Sequence, residues 1–128
     1  MDSVFSIVVV TYNQKDLVLE TLESIYSQTY KAIELVVSDD ASTDSTPEII
    51  KAWVEQKGDR FVNVILNFNK QNKGISGNHS AGLKLASGEF VKYLGGDDIL
   101  LPDAVEKMCN FLLENKEARF CTSRVKPF

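Results

Sequence analysis

Two carboxylates side by side, Asp97 and Asp98, follow the glycine pair Gly95 and Gly96 in the segment 90–102, FVKYLGGDDILLP. Adjacent acids at the carboxyl end of a strand suit a hard divalent cation, Mg²⁺ or Mn²⁺, shared with the phosphates of a ligand, because such ions take oxygen ligands and leave part of their coordination to substrate. Glycines let backbone come close to something bulky. The same four residues are also good turn formers, so the pair gains meaning from its company. A second acid pair, Asp39 and Asp40, opens the run DDASTD directly after the strand-like segment 34–38, ELVVS, and Tyr12 stands where the first apolar run gives way to Thr11-Tyr12-Asn13. An aromatic ring there can stack on a flat base, Asp40 can accept from a base N–H, and Asp97 or Asp98 can hold ribose hydroxyls and the cation. Asn13 reads as a helix cap and Asp44 as turn or cap chemistry. The single histidine, His79, reads equally as a rim residue sharing a face with Ile75 and Leu83 and as a phosphate contact. Lys73 reads as a solvated loop residue.

These residues need elements to hold them. Segment 4–10 is nearly continuous in β-branched and aromatic residues, the pattern of a parallel strand covered on both faces. Residues 16–28 repeat Val18, Leu22, Ile25 and Tyr26 at helical spacing. Segment 34–38 is a second buried strand. Ser45 and Glu48 have capping-box spacing and Pro47 suits a first helical turn, so a helix begins there, carries Ile49, Ile50, Trp53 and Val54 on one side, and closes at Lys57-Gly58. Segment 62–66 is a third strand and 67–77 a polar, glycine-containing loop. A glycine-weakened helix over 78–87 follows, with Ile75, His79, Leu83 and Ala86 on one face. Segment 89–94 is the fourth strand, a helix follows Pro102 with Val105, Met108, Cys109 and Leu112 at its spacing, and 119–123 reads as a fifth strand. Such strict alternation implies a mostly parallel α/β sheet with right-handed crossovers and helices on both faces. Ligands of such sheets sit beyond the carboxyl ends of the strands, where strand order reverses. Tyr12, Asp39, Asp40, Asp97 and Asp98 all fall on that edge.

At 128 residues the chain is one domain with room for a core, and 44% hydrophobic with 25% charged residues is ordinary globular composition. A net charge of −4 and a pI near 5.0 argue against a nucleic-acid groove, which wants a basic face. A phosphate ligand would then need a cation or local donors. The apolar run 4–10 is too short to span a membrane and lacks the basic start and cleavage site of a signal peptide. Cys109 and Cys121 fit neither a metal knuckle nor a disulfide framework and read as buried, reduced thiols of a cytoplasmic protein.

In combination, SIVVVTYNQ, ELVVSDDASTDST, NKGISGNHSAGLKLASGEF and YLGGDDILLPD resemble the N-terminal half of family 2 glycosyltransferases, over residues 6–113. That resemblance implies the Rossmann-like GT-A fold and transfer of a sugar, with inversion, from a nucleoside diphosphate donor, commonly a UDP-sugar, to a saccharide or lipid-linked acceptor. It implies nucleotide-binding roles for Thr11, Tyr12, Asp40, Asp97 and His79. It implies divalent cation binding, Mn²⁺ or Mg²⁺, at Asp98 with Asp97. Asp40 would meet the base. Many members carry an aspartate where this chain has Gly95, a glycine where it has Ala41, and Arg-Asn where it has His79 and Ser80, so diphosphate recognition falls to His79. No residue matches the family's catalytic base. The expectation is a single nucleotide-sugar-binding domain over 1–128, truncated on its C-terminal side, cytoplasmic at the inner face of a membrane, with peripheral attachment through missing regions and polysaccharide assembly as its setting.

Two other classes share the alternating pattern. A phospho-acceptor receiver module needs an acid pair after the first strand and a lone aspartate after the third, where this chain has Thr11-Tyr12-Asn13 and Asn67-Phe68-Asn69. A nucleotidyltransferase would carry a basic, glycine-rich loop in place of Tyr12-Asn13-Gln14. A nucleotide-binding module without transferase activity is the remaining alternative.

Overall fold

The computed structural model describes residues 2–121. Its elements in chain order are β1 (Phe5–Thr11), α1 (Val18–Tyr26), β2 (Ile33–Asp39), α2 (Thr46–Lys57), a 3₁₀ turn (Gly58–Arg60), β3 (Asn63–Phe68), α3 (Gly74–Leu85), β4 (Phe90–Gly95) and α4 (Ala104–Glu114). The four strands form one sheet in the order β3-β2-β1-β4, and every pairing is parallel. The most apolar run takes a central position: Ile7, Val8 and Val9 of β1 are fully buried, since one set of alternating side chains faces each covering layer. Register aligns Thr11 with Asp39, Asp39 with Phe68, and Val10 with Gly95, so the carboxyl ends of all four strands lie on one edge. Strand order reverses between β1 and β4, and the loops after these two strands border that switch point.

One face of the sheet is apolar. Phe5, Ile7 and Val9 of β1 and Ile33, Leu35 and Val37 of β2 join Val18, Leu22 and Ile25 of α1, Ile50 and Trp53 of α2, and Val105 and Cys109 of α4 in a single core. The other face carries α3, and there the contact is small and polar. Gly82 lies so close to β1 that a methyl group added to it would stand 2.5 Å from Val8 Cγ1. Beside it Asn78, 4% exposed, donates from Nδ2 to the Ser38 carbonyl at 2.9 Å and accepts from the Ser38 hydroxyl at 2.7 Å. Carboxylates of β2 and its C-terminal extension hold the two ends of α3. Asp40 accepts from the Lys73 and Gly74 amides at its start, and Glu34 accepts from the Ser87 amide and hydroxyl just past its end. The helix therefore runs back along β2.

Several sequence expectations change. The helix expected over 78–87 starts at Gly74, because Asp40 satisfies its first amides. The face predicted to be apolar is turned to water, Ile75 being 81% and Leu83 47% exposed, while Asn78 and Gly82 face the sheet. Ser45 makes no side-chain cap hydrogen bond to α2, so Ser45 and Glu48 do not form a capping box, although Pro47 does sit in its first turn. Asn13 does not cap α1. Its backbone turns left-handed at φ 49°, and its Oδ1 accepts from the amides of Thr43 and Asp44, tying the loop after β1 to the loop before α2. Asp44 does serve turn chemistry, accepting from the Thr46 amide at 2.8 Å. Cys109 is buried, but Cys121 is partly exposed. Arg119, Phe120 and Cys121 are not in a strand, and the rest of the fifth strand expected over 119–123 lies outside the described residues. Among the described residues no helix is long and apolar enough to cross a membrane.

Candidate functional site

A cleft of about 400 Å³ opens at the carboxyl edge of the sheet. β1 and the loop after it supply Val10, Thr11, Tyr12 and Gln14; Asp40 follows β2; Asn72, Gly74, Ile75, Asn78 and His79 come from α3 and its approach; Gly95 ends β4. Thr11, Tyr12, Asp40 and His79 thus share one cavity. Their freedom to engage a ligand differs.

Tyr12 is half exposed and its ring is available. Thr11 is 2% exposed and its hydroxyl donates to Asp39 Oδ1 at 2.6 Å, so it contributes wall rather than a free hydroxyl. Asp39, placed by sequence among the edge acids, is 1% exposed and is occupied within the chain: besides Thr11 it accepts from the Ser42 hydroxyl at 2.6 Å and the Ser42 amide at 3.0 Å. That turn forces Ala41 into the left-handed region at φ 61°, where glycine is at ease and alanine is strained. Asp40, 4% exposed, accepts from Asn69 Nδ2 at 3.0 Å, the Lys73 amide at 2.7 Å and the Gly74 amide at 3.0 Å. A carboxylate at the start of a helix also meets the positive end of its dipole.

His79 stacks on Tyr93 of β4, ring centres 4.5 Å apart and planes 17° apart, and the Tyr93 hydroxyl donates to the His79 carbonyl at 3.2 Å. The stack fixes the imidazole plane where α3 meets the edge strand. It also explains the partial exposure of His79: it is a rim residue that reaches the cleft.

Asp97 and Asp98 are exposed and stand beside the cleft rather than in its wall. The Asp98 amide donates to the Gly95 carbonyl at 3.0 Å and the Gly96 amide to the Val10 carbonyl at 2.9 Å, closing a turn against β1. Gly96 is required there, since an added methyl would lie 2.4 Å from Gln14 Oε1 and 2.7 Å from Thr11 Cγ2. Gly95 has a different role. A Cβ on it would lie 3.0 Å from Asp97 Oδ1 and 3.1 Å from Asp98 Oδ2, so both carboxylates fold back over the same point. Among the described residues no group of three or more His, Cys, Asp or Glu side chains could hold a metal ion.

Gln14, Asn72, Ile75 and Asn78 were not singled out as site residues by their sequence. Gln14 Oε1 accepts from the Tyr12 amide at 3.2 Å, and Asn72 Nδ2 donates to the Asp40 carbonyl at 3.2 Å. No spacing rule marks a lone amide side chain as a cavity wall.

A sequence profile described as Glycosyl transferase family 2 matches residues 6–128. Among similar proteins is the Escherichia coli UDP-Glc:alpha-D-GlcNAc-diphosphoundecaprenol beta-1,3-glucosyltransferase WfaP, 34% identical over 111 residues, covering 87% of this chain and 42% of WfaP. Another is the Campylobacter jejuni GalNAc(5)-diNAcBac-PP-undecaprenol beta-1,3-glucosyltransferase, 39% identical over 103 residues, covering 80% of this chain and 32% of that protein. The chain thus spans less than half the length of these relatives. S. aureus TarS 1-349 in complex with UDP-GlcNAc superimposes with a TM-score of 0.78 at 30% identity, over 88% of this chain and 32% of that one. The mannosyltransferase PcManGT from Pyrobaculum calidifontis, in complex with GDP-Man and Mn²⁺, gives 0.78 at 31% identity, over 84% and 32%. With a Rossmann-like parallel sheet, a cleft at its switch point and a profile match along nearly all of its length, the chain belongs to glycosyl transferase family 2 and has the GT-A fold.

Proposed function

We propose that residues 1–128 form the donor-binding domain of an enzyme that transfers a sugar from a nucleoside diphosphate, with UDP as the carrier, to an acceptor hydroxyl with inversion. The observation that carries this reading is the meeting at one switch point of a cleft lined by Tyr12 and Asp40 with a turn on which Asp97 and Asp98 converge. In this reading Tyr12 stacks on the base, Thr11 and Asp40 line its edge, and His79 faces the diphosphate from the rim. The donor set suits Mg²⁺ or Mn²⁺, which accept one or two carboxylates and complete their shell with phosphate and water. Asp98, with Asp97, would hold the ion, and its charge would offset that developing on the departing diphosphate.

The acceptor oxygen attacks the anomeric carbon as the bond to the diphosphate breaks, and a carboxylate must take the acceptor's proton. We assign that base to a region outside residues 1–128. The names of the E. coli and C. jejuni relatives support a lipid-linked saccharide as acceptor, and with it a place at the inner face of a membrane.

Calorimetric titration of the chain with UDP, GDP and CDP, with and without Mn²⁺, tests the donor site. Cation-dependent binding of UDP is expected, weakened at least about tenfold in Asp98→Ala, the scale of losing a charge-assisted contact. Absence of binding to all three nucleotides would overturn it.

A further inference from the structure

Beneath the cleft, β2, β3 and α3 share a circuit of buried hydrogen bonds that the proposed transfer does not use. Asn69, 8% exposed, is its hub. Its Oδ1 accepts from Asn67 Nδ2 at 2.8 Å, and its Nδ2 donates both to Asp40 Oδ1 and to Asn78 Oδ1, each at 3.0 Å. Asn67 Nδ2 also donates to the Ser38 hydroxyl at 3.0 Å, and that hydroxyl donates to Asn78 Oδ1 at 2.7 Å. The circuit admits one orientation of the Asn69 amide. Turned over, its oxygen would face two acceptors, Asp40 and Asn78, and its nitrogen would face the Asn67 donor.

That fixed amide limits Asp40. Oδ1 already takes two donors, from Asn69 and the Lys73 amide, while Oδ2 takes one, from Gly74. A carboxylate has about four acceptor sites, so the capacity left is concentrated on Oδ2. Rotating the group to suit a different ligand breaks hydrogen bonds in a site from which water is nearly excluded, and each buried group left unpaired is costly.

We propose that Asn69 is a positioning residue for the nucleobase, holding Asp40 as a preset acceptor and so setting a preference for bases with a ring N–H at their recognised edge, uracil and guanine, over cytosine. The proposal rests on the donor-binding reading above. Cytosine presents a ring acceptor at the corresponding position and meets the carboxylate oxygen without a proton between them. Without Asn69, Oδ1 keeps the Lys73 amide alone and Oδ2 the Gly74 amide, so an acceptor site on Oδ1 is freed, the carboxylate can shift on its two remaining bonds, and the distinction fades.

The test is the ratio of UDP to CDP affinity with Mn²⁺ present, measured calorimetrically on the parent chain, Asn69→Ala and a control, Asn63→Ala. The control removes an amide at the first residue of β3, the opposite end of the strand that Asn69 follows, where it donates to Glu34 at 3.0 Å. The parent is expected to prefer UDP by at least about tenfold, as sites built to read a hydrogen bond do. Asn69→Ala should bring the ratio to within about threefold of unity, and Asn63→Ala should keep it. Asn69→Ser, too short to reach Asp40, takes the place of Asn69→Ala where urea denaturation shows the alanine variant unfolded. A folded Asn69 variant with the parent's ratio overturns the role of Asn69 and leaves the donor site standing. Equal binding of UDP and CDP to the parent overturns base reading by Asp40. No nucleotide binding to the parent overturns the donor site and this role together.

Discussion

On one face of the sheet, α1, α2 and α4 meet the strands through Val18, Leu22, Ile25, Ile50, Trp53, Val105 and Cys109; on the other, α3 meets them through Gly82, Asn78 and two carboxylates. Apolar burial is roughly proportional to area and has little directional character, so the first arrangement supplies stability and accepts small adjustments. Hydrogen bonds are directional, and in a buried setting each must be made. The second arrangement therefore fixes where α3 sits along β2. That helix brings Ile75, Asn78 and His79 to the cleft. One face makes the fold hold, and the other places the site.

Leu22→Ala should show the largest effect on stability, about 3 kcal/mol by urea denaturation, from loss of a fully buried side chain and the cavity left behind. Nucleotide affinity per folded molecule should stay unchanged, because Leu22 belongs to the apolar core and does not line the cleft. A parallel loss of affinity would break the division between the faces. Gly82→Ala probes the other face at its tightest point and should cost about 2 kcal/mol, since the added methyl meets Val8. Here affinity should fall with stability, and backbone amide NMR signals of Asn78 and His79 should move. Unchanged signals would mean that α3 is not held by this contact.

Glu34→Gln should cost less, about 1.5 kcal/mol at neutral pH, by setting an amide nitrogen against donors that now have an acceptor. Its pH dependence sharpens the comparison. Burial alone would raise the Glu34 pKa, but the Ser87 hydroxyl and amide, with Ser6 and Asn63, bring it below the ordinary 4.5. The folded pKa being the lower one, the stabilisation is complete above the unfolded value and is lost as pH falls through the folded value. Urea midpoints of parent and variant should stay apart from pH 7 to 5 and converge below about pH 4. A constant gap down to pH 3 would show that the carboxylate is not the source.

The apolar face was legible in the sequence, because Val18, Leu22 and Ile25, or Ile50 and Trp53, recur at the helical period and 4–10 is apolar but for Ser6. The polar face was not. Helix α3 breaks the rule that apolar residues point inward: glycine and asparagine face the sheet, and its start is decided by Asp40, which is 34 residues away from Gly74. At the carboxyl edge of the sheet, the positions of Tyr12, Asp40, Asp97 and Asp98 just past their strands were readable because topology places them. Residues defined by contact alone were not, Asn69 and Gln14 among them. The occupation of Asp39 by Thr11 and Ser42 could not be told from an acid awaiting a ligand, since only distance separates the two.

The two clamps on α3 also act as a length gauge. Its twelve residues rise about 18 Å, and the strand path from Glu34 to Asp40 covers about 20 Å. Helix and strand are matched end to end. Inserting or deleting one residue between Gly74 and Ser87 would turn the remainder of the helix by about 100° and slide it about 1.5 Å, and a whole turn would shift it about 5.4 Å. Neither leaves both carboxylates engaged. The outward surface of α3 around Leu83, away from the cleft, is free to change in character, whereas its residue count is not.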